Sequence, residues 1–243
     1  MRKLQAVVFD MDDTLYPERE YVYSGFRAVA SWVETNLGVP RDRVLKELWQ
    51  IFITENRKKT FDIWLTKMGL APEAWVPQMI KVYRSHQPRI KPYPDVSGLL
   101  GRLRRIYRLG LVTDGCLAVQ KKKLEALELS SHFDAIVFSD AWGKEAWKPN
   151  SRPFRAILEQ LGINGSEAVY VGDNPLKDFL GARDVGMWTV RVRRSNGLYS
   201  HLSPPSVEYA PHVEITDLND LEKALARIEE MAGHGLKGAK KNA

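Results

Sequence analysis

The sequence predicts an α/β chain, a doubly wound parallel sheet interrupted by an inserted α-helical unit. Three observations carry that prediction. Short apolar segments recur at residues 4–9, 109–113, 135–138, 168–171 and 188–192, each bounded by turn residues, as strands buried on both faces do. From the second segment onward they alternate with amphipathic helical patterns, the rhythm of βαβ units. Between the first and second segments lie residues whose apolar spacing is helical throughout.

The first strand, residues 4–9, runs directly into Asp10-Met11-Asp12-Asp13-Thr14-Leu15. Carboxylates crowded at a strand end repel one another and lose hydration, so a cation, a hydrogen-bond network or a charged substrate must compensate them. The insert follows. Val22, Phe26, Val29, Val33 and Leu37 keep helical spacing until Gly38 and Pro40 end the run, and further helices fit residues 44–52, 61–68 and 75–83. Trp32, Trp49, Trp64 and Trp75 read as the core of a small bundle, with substrate contact as the alternative. Pro88, Pro92 and Pro94 make a stiff return.

Pro94 and Asp95 then introduce a helix with Val96, Leu99, Leu100, Leu103 and Ile106 on one face. Helices at residues 120–129, 151–161 and 176–185 separate the later strands. The expected division is a core of residues 1–15 and 91–232, a helical insert of 16–90, and a mobile basic tail, 233–243, carrying Lys237, Lys240 and Lys241.

With 243 residues, 44% hydrophobic and 27% charged, the chain can bury a large core and carry an insert. The only cysteine, Cys116, excludes an intrachain disulfide framework and fits a reducing, cytoplasmic setting. No apolar run approaches the ~20 residues that span a bilayer, and the N-terminus lacks a signal pattern, so no membrane partner is expected. A net charge of +6 permits attraction to anions. Nucleic acid is not expected as a partner, and the oligomeric state is not legible.

In an open parallel sheet reactive groups gather beyond the carboxyl ends of the strands. After the first strand stand Asp10 and Asp12; after the second, Thr113-Asp114-Gly115; on the loop leaving the third, Lys148-Pro149; after the fourth, Gly172-Asp173-Asn174 with Asp178 beyond. Three acids, Asp10, Asp12 and Asp173, suit a hard divalent cation, and Mg²⁺ is the natural choice if a phosphate shares the site. A lysine, a threonine hydroxyl and the amides of glycine-containing turns suit phosphoryl oxygens.

These residues resemble the motifs of the haloacid dehalogenase superfamily. Asp10, Asp12 and Thr14 match its first motif, Thr113 its second, Lys148 its third, and Gly172, Asp173 and Asp178 its fourth, in order across residues 5–192. The insert lies where subfamily I members carry a helical cap. The resemblance implies a Rossmann-like core and phosphoryl transfer to Asp10, with Asp12 protonating the leaving alcohol and then taking a proton from water. It implies that Thr113, Asp114, Gly115 and Lys148 bind phosphate, Asp114 through its backbone amide. Mg²⁺ is then held by Asp10, Asp173 and the backbone carbonyl of Asp12, with Asp178 and Asn174 behind them.

The expected function is a Mg²⁺-dependent phosphatase acting on a small phosphorylated metabolite. A phosphomutase or metal-independent dehalogenase on the same fold is one alternative, and a binding protein using its basic surface another. The loop 142–147 is about two residues longer than the family pattern and offers Lys144 as a second lysine; Lys148 is preferred because Lys-Pro precedes Phe154 at the matching distance. Asp13 and Thr14 are expected to bond turn amides. Tyr16, Glu18 and Tyr21 either reach the substrate or pack the hinge. Arg57, Lys58 and Lys59 form a solvated face, Cys116 packs, and the five histidines receive no role.

Overall fold

The computed structural model describes residues 4–239. The chain forms two compact units, Met1–Glu18 with Lys91–Ala243, and Arg19–Ile90. The first strand, β1 (Ala6–Phe9), is wholly buried. Four helices follow: α1 (Glu18–Leu37), α2 (Arg41–Thr54), α3 (Thr60–Lys67) and α4 (Pro72–Ser85). Within Arg19–Ile90, Val29, Val33, Leu48, Leu65 and Met79 form an apolar interior. Of the tryptophans only Trp64 is fully buried, its Nε1 donating to Glu47 Oε2 at 2.8 Å. Trp32 and Trp75 meet edge-on at the margin. Arg57, Lys58 and Lys59 are exposed on a 3-10 turn, as the charge run predicts.

The remaining strands are β2 (Arg108–Thr113), β3 (Ala135–Phe138), β4 (Ala168–Gly172), β5 (Trp188–Val192) and β6 (Val213–Ile215), all parallel, in the order β3-β2-β1-β4-β5-β6. Strand β1 is central: Phe9 stands opposite Leu111 on one side and Val171 on the other. The chain winds outward from β1 in both directions, so the strand order reverses beside it, and the crevice at that reversal lies beyond the carboxyl ends of β1 and β4. Helices α5 (Val96–Leu103), α6 (Leu117–Ala126), α7 (Arg152–Leu161), α8 (Leu180–Asp184) and α9 (Leu221–Ala239) complete this unit. Phe154, Ile157, Leu158 and Leu161 give α7 an apolar stripe that packs with Val8, Val112, Val137 and Tyr170.

Besides a three-residue shift of α6, which runs Leu117–Ala126 rather than 120–129, the structure departs from the sequence-based expectations chiefly at four places. Strand β6 was not expected; it is three residues long, pairs only with β5, and interrupts its apolar run with exposed Glu214. Helix α8 begins at Leu180 rather than 176, because Asn174 and Asp178 accept the amides of Leu176 and Asn174 and hold a turn there. Helix α5 ends at Leu103, which leaves Ile106 exposed. Helix α9 continues to Ala239, so residues 233–239, expected as a tail, are helical, and the last four lie outside the described residues. Among the described residues no helix is long and apolar enough to cross a membrane.

One ion pair locks the return from the insert onto the sheet unit. Arg194 donates to both oxygens of Asp95, at 2.7 and 3.1 Å, and stacks on the Tyr93 ring, while Asp95 also accepts the Leu218 amide at 3.0 Å. Both side chains are nearly inaccessible. Removing one partner strands the other in low dielectric. Asp95→Ala is therefore expected to cost about 3 to 5 kcal/mol in urea unfolding, and a loss below about 1 kcal/mol would refute the buried pairing.

Candidate active site

Asp10 is the first residue past β1, and its amide donates to the Val171 carbonyl, which sets it beside the end of β4. Lys148 reaches the same point from the loop after β3. Its Nζ donates to Asp10 Oδ1 at 2.5 Å, to Asp178 Oδ1 at 2.8 Å and to Tyr170 OH at 2.8 Å, with every partner buried. Those three bonds exhaust an ammonium's donors. Lys144, the second lysine the loop offers, is exposed on a turn and takes no part in this cluster.

Asp173 and Asn174 follow β4, and Asp178 returns one turn later. Ligand oxygens of Asp10, Asp173 and Asp178 lie within 4.8 Å of one another, all in buried side chains. Gly172 permits this approach, since a Cβ there would stand 2.6 Å from Asp178 Oδ2. Buried Arg191 of β5 braces the turn from below, its Nε donating to the Asp173 carbonyl at 3.0 Å. Asn174 contributes its amide to Asp178 and its side-chain oxygen to the Leu176 amide, so it shapes the turn rather than joining the carboxylates.

The electrostatics separate the acids. Burial pushes the Asp10 carboxyl up to about 6, outweighing the ammonium of Lys148. Burial, followed by the charges of Asp178 and Asp10, pushes Asp173 well above the carboxylate range. Asp178 lies on the other side: burial opposes its charge, but Lys148 and Lys177 overcome it and hold the group low. Lys148 is held firmly charged, because Asp10 and Asp178 outweigh the burial that works against its ammonium. Asp10 Oδ2 and Asp173 Oδ2 are buried with no hydrogen-bond partner. Two orphaned carboxyl oxygens in one buried cluster are costly as they stand, and a divalent cation with oxygen preference satisfies both. The residues fit such an ion.

Thr113, at the end of β2, is buried. Asp114 Oδ1 accepts from Ser139 Oγ at 2.6 Å and from the Lys148 amide at 3.2 Å. Its side chain thus ties the second motif to the third. Asp12 stands apart from the three clustered carboxylates, its side chain bonded to Tyr16, Gln120 and Lys123. Lys123 and its hydrogen bond hold Asp12 low although burial works in the opposite direction. Asp13 accepts the Glu18 amide, as a turn residue does, but also the distant Leu198 amide at 2.6 Å. The Thr14 hydroxyl, expected to bond the turn, is buried without a partner.

Of the residues flanking the first motif, Tyr16 bonds Asp12, whereas Tyr21 packs edge-on against Tyr83 inside the helical unit. Burial, with the charge of Asp12 next, pushes Glu18 up to about 8. Sequence reasoning assigned no role to Gln120, Lys123, Tyr170 or Lys177. A signal existed for the first two: they are polar residues on the buried face of α6, among Val119 and Leu124.

A family model described as haloacid dehalogenase-like hydrolase matches residues 7–192. A glyceraldehyde 3-phosphate phosphatase of Methanopyrus kandleri is 35% identical over 238 residues, covering 92% of this chain and 99% of the relative. A phosphoserine phosphatase of Thermus thermophilus is 31% identical, covering 83% and 70%. The crystal structure of a HAD phosphatase from Thermococcus onnurineus superposes with a TM-score of 0.60 at 26% identity, over 91% of this chain and 98% of that one. A family match over most of the chain, together with these phosphatase relatives, establishes that the chain belongs to the haloacid dehalogenase-like hydrolases and is a phosphatase among them.

Proposed function

We propose that the chain is a Mg²⁺-dependent phosphatase that hydrolyses a small phosphorylated metabolite through an aspartyl-phosphate on Asp10. The observation that carries this reading is the buried Lys148 ammonium shared between Asp10 and Asp178 beside two unpartnered carboxylate oxygens. Asp10 and Asp173, with the carbonyl of Asp12, are the groups to hold the ion. Mg²⁺ there supplies positive charge that screens the carboxylate nucleophile from the anionic phosphoryl group. The Thr113 hydroxyl and the amides of Asp114 and Gly115 bind phosphoryl oxygens, and Lys148 joins them by exchanging one of its three present bonds.

In the first step Asp10 attacks phosphorus, the bond to the ester oxygen breaks, and Asp12 gives that oxygen a proton. In the second, water attacks the same phosphorus, Asp12 takes its proton, and inorganic phosphate leaves as Asp10 is regenerated. The relatives make glyceraldehyde 3-phosphate and phosphoserine the first substrates to assay. The test is a screen of phosphorylated metabolites with Mg²⁺ or chelator. Chelator-sensitive release of phosphate is expected; a folded protein inert toward every phosphoester, or turnover indifferent to chelator, would overturn the reading.

The site also implies a pH dependence. The Asp10 carboxyl sits at about 6, above its ordinary 3.8. In the metal-free protein its stability contribution is therefore fully present below the ordinary value and lost as pH rises through about 6. Mg²⁺ competes with the same proton. Calorimetry is expected to show Mg²⁺ affinity rising with pH across this window, up to tenfold per unit for each competing proton, and fewer protons released per ion bound as pH rises. Affinity independent of pH there would contradict the assignment of Asp10 as a ligand.

A further inference from the structure

Asp12 is gripped by side chains outside the family motifs. Lys123 Nζ donates to its Oδ1 at 2.7 Å and Gln120 Nε2 to its Oδ2 at 2.9 Å, while the Tyr16 hydroxyl also bonds Oδ1. The Gln120 amide donates in addition to Thr113 Oγ1 at 2.6 Å. One side chain thereby bridges the proton carrier of the first motif and the phosphoryl-binding hydroxyl of the second.

Gln120 and Lys123 are three residues apart on α6, hence on one face. They are 1% and 4% exposed. Burying an amide and an ammonium there costs desolvation that an apolar pair would avoid. Fold stability alone does not ask for them. Gly115 is fitted to the same arrangement: its φ is +117°, and a Cβ would lie 3.2 Å from the Gln120 side chain.

We infer that Gln120 and Lys123 are positioning residues that fix the Asp12 carboxyl for proton transfer to the leaving alcohol. A carboxyl with a free χ2 samples many orientations, whereas separate donors on its two oxygens select one, and proton transfer requires hydrogen-bond reach to the ester oxygen. Both act through Asp12, and Gln120 also through Thr113. The inference rests on the role proposed for Asp12.

Leaving-group dependence tests it. An alkyl phosphate needs a proton on its departing oxygen, whereas p-nitrophenyl phosphate departs with little help. In Lys123→Met and in Gln120→Leu, kcat for an alkyl phosphate is expected to fall roughly 10²-fold relative to kcat for the aryl phosphate. Lys123→Arg is expected to recover most of that ratio. Thermal unfolding identifies any variant that fails to fold, and the other variant then decides. An unchanged alkyl-to-aryl ratio in the folded variants would overturn the inference. Asp10→Asn is assayed alongside: turnover surviving that substitution overturns the proposed function itself, whatever the ratio does.

Discussion

Asp10→Asn is expected to abolish turnover, by roughly 10⁵-fold or more, without unfolding the protein. The amide cannot form the acyl phosphate, and loss of a nucleophile removes the covalent route as a whole rather than one increment of it. Stability should move the other way. Asp10 is buried, its carboxyl pushed up to about 6, so at neutral pH the metal-free protein holds this charge at a cost. Asparagine keeps the shape and an oxygen for Lys148 while removing that charge. The metal-free variant is therefore expected to melt at least as high as the parent at neutral pH, and the stabilisation by added Mg²⁺ to shrink. A variant that is inactive because it is unfolded, seen as a lost thermal transition, would leave the nucleophile unassigned to Asp10.

Lys148→Ala is expected to damage both activity and folding. Its ammonium is the shared donor to Asp10 and Asp178, each about 1% exposed or less. Removing it leaves two buried carboxylates facing each other and facing Asp173, a change of the class that costs about 3 to 5 kcal/mol. It also deletes the cation proposed to hold the phosphoryl group, which bonds Asp10, so kcat should fall by roughly 10³-fold even in the folded fraction. Added Mg²⁺ is expected to restore part of the melting temperature and none of the lost turnover. A well-folded Lys148→Ala protein with near-parental turnover would return the role to another cation, with Lys177, whose Nζ lies 3.9 Å from Asp114 Oδ2, the next to examine.

The parts of this molecule that the sequence makes legible share one physical cause. Strands β1, β2 and β4 are buried throughout or nearly so, so they read as unbroken apolar runs, and the polar residues that end them stand out against that background. Asp10, Thr113 and Asp173 were found in this way, and Lys148 by its Lys-Pro match to the third motif; the structure brings Asp10 and Asp173 to one cluster with Asp178, which Lys148 joins. Edge strand β6 has no such signal, because three residues with one exposed glutamate match many loops. Helix α8 was drawn too long because Asn174 and Asp178, read as chemistry, also spend hydrogen bonds on holding a turn.

Long-range polar contacts were the least legible. The Leu198 amide bonds Asp13 across 185 residues of sequence, and Lys123 bonds Asp12 across 111. Periodicity along one helix shows which face is buried but not what that face meets. Gln120 and Lys123 could have been flagged as polar residues on a buried stripe; their partner could not.

The central claim is that Asp10 carries the phosphoryl group during turnover. Its most direct test is acid quenching of the enzyme with its phosphorylated substrate and Mg²⁺, followed by peptide mapping by mass spectrometry. A phosphoryl group on the peptide that contains Asp10, absent from the Asp10→Asn protein, is the predicted result. Full turnover with no phosphorylated peptide, or with the group on any other residue, would contradict it.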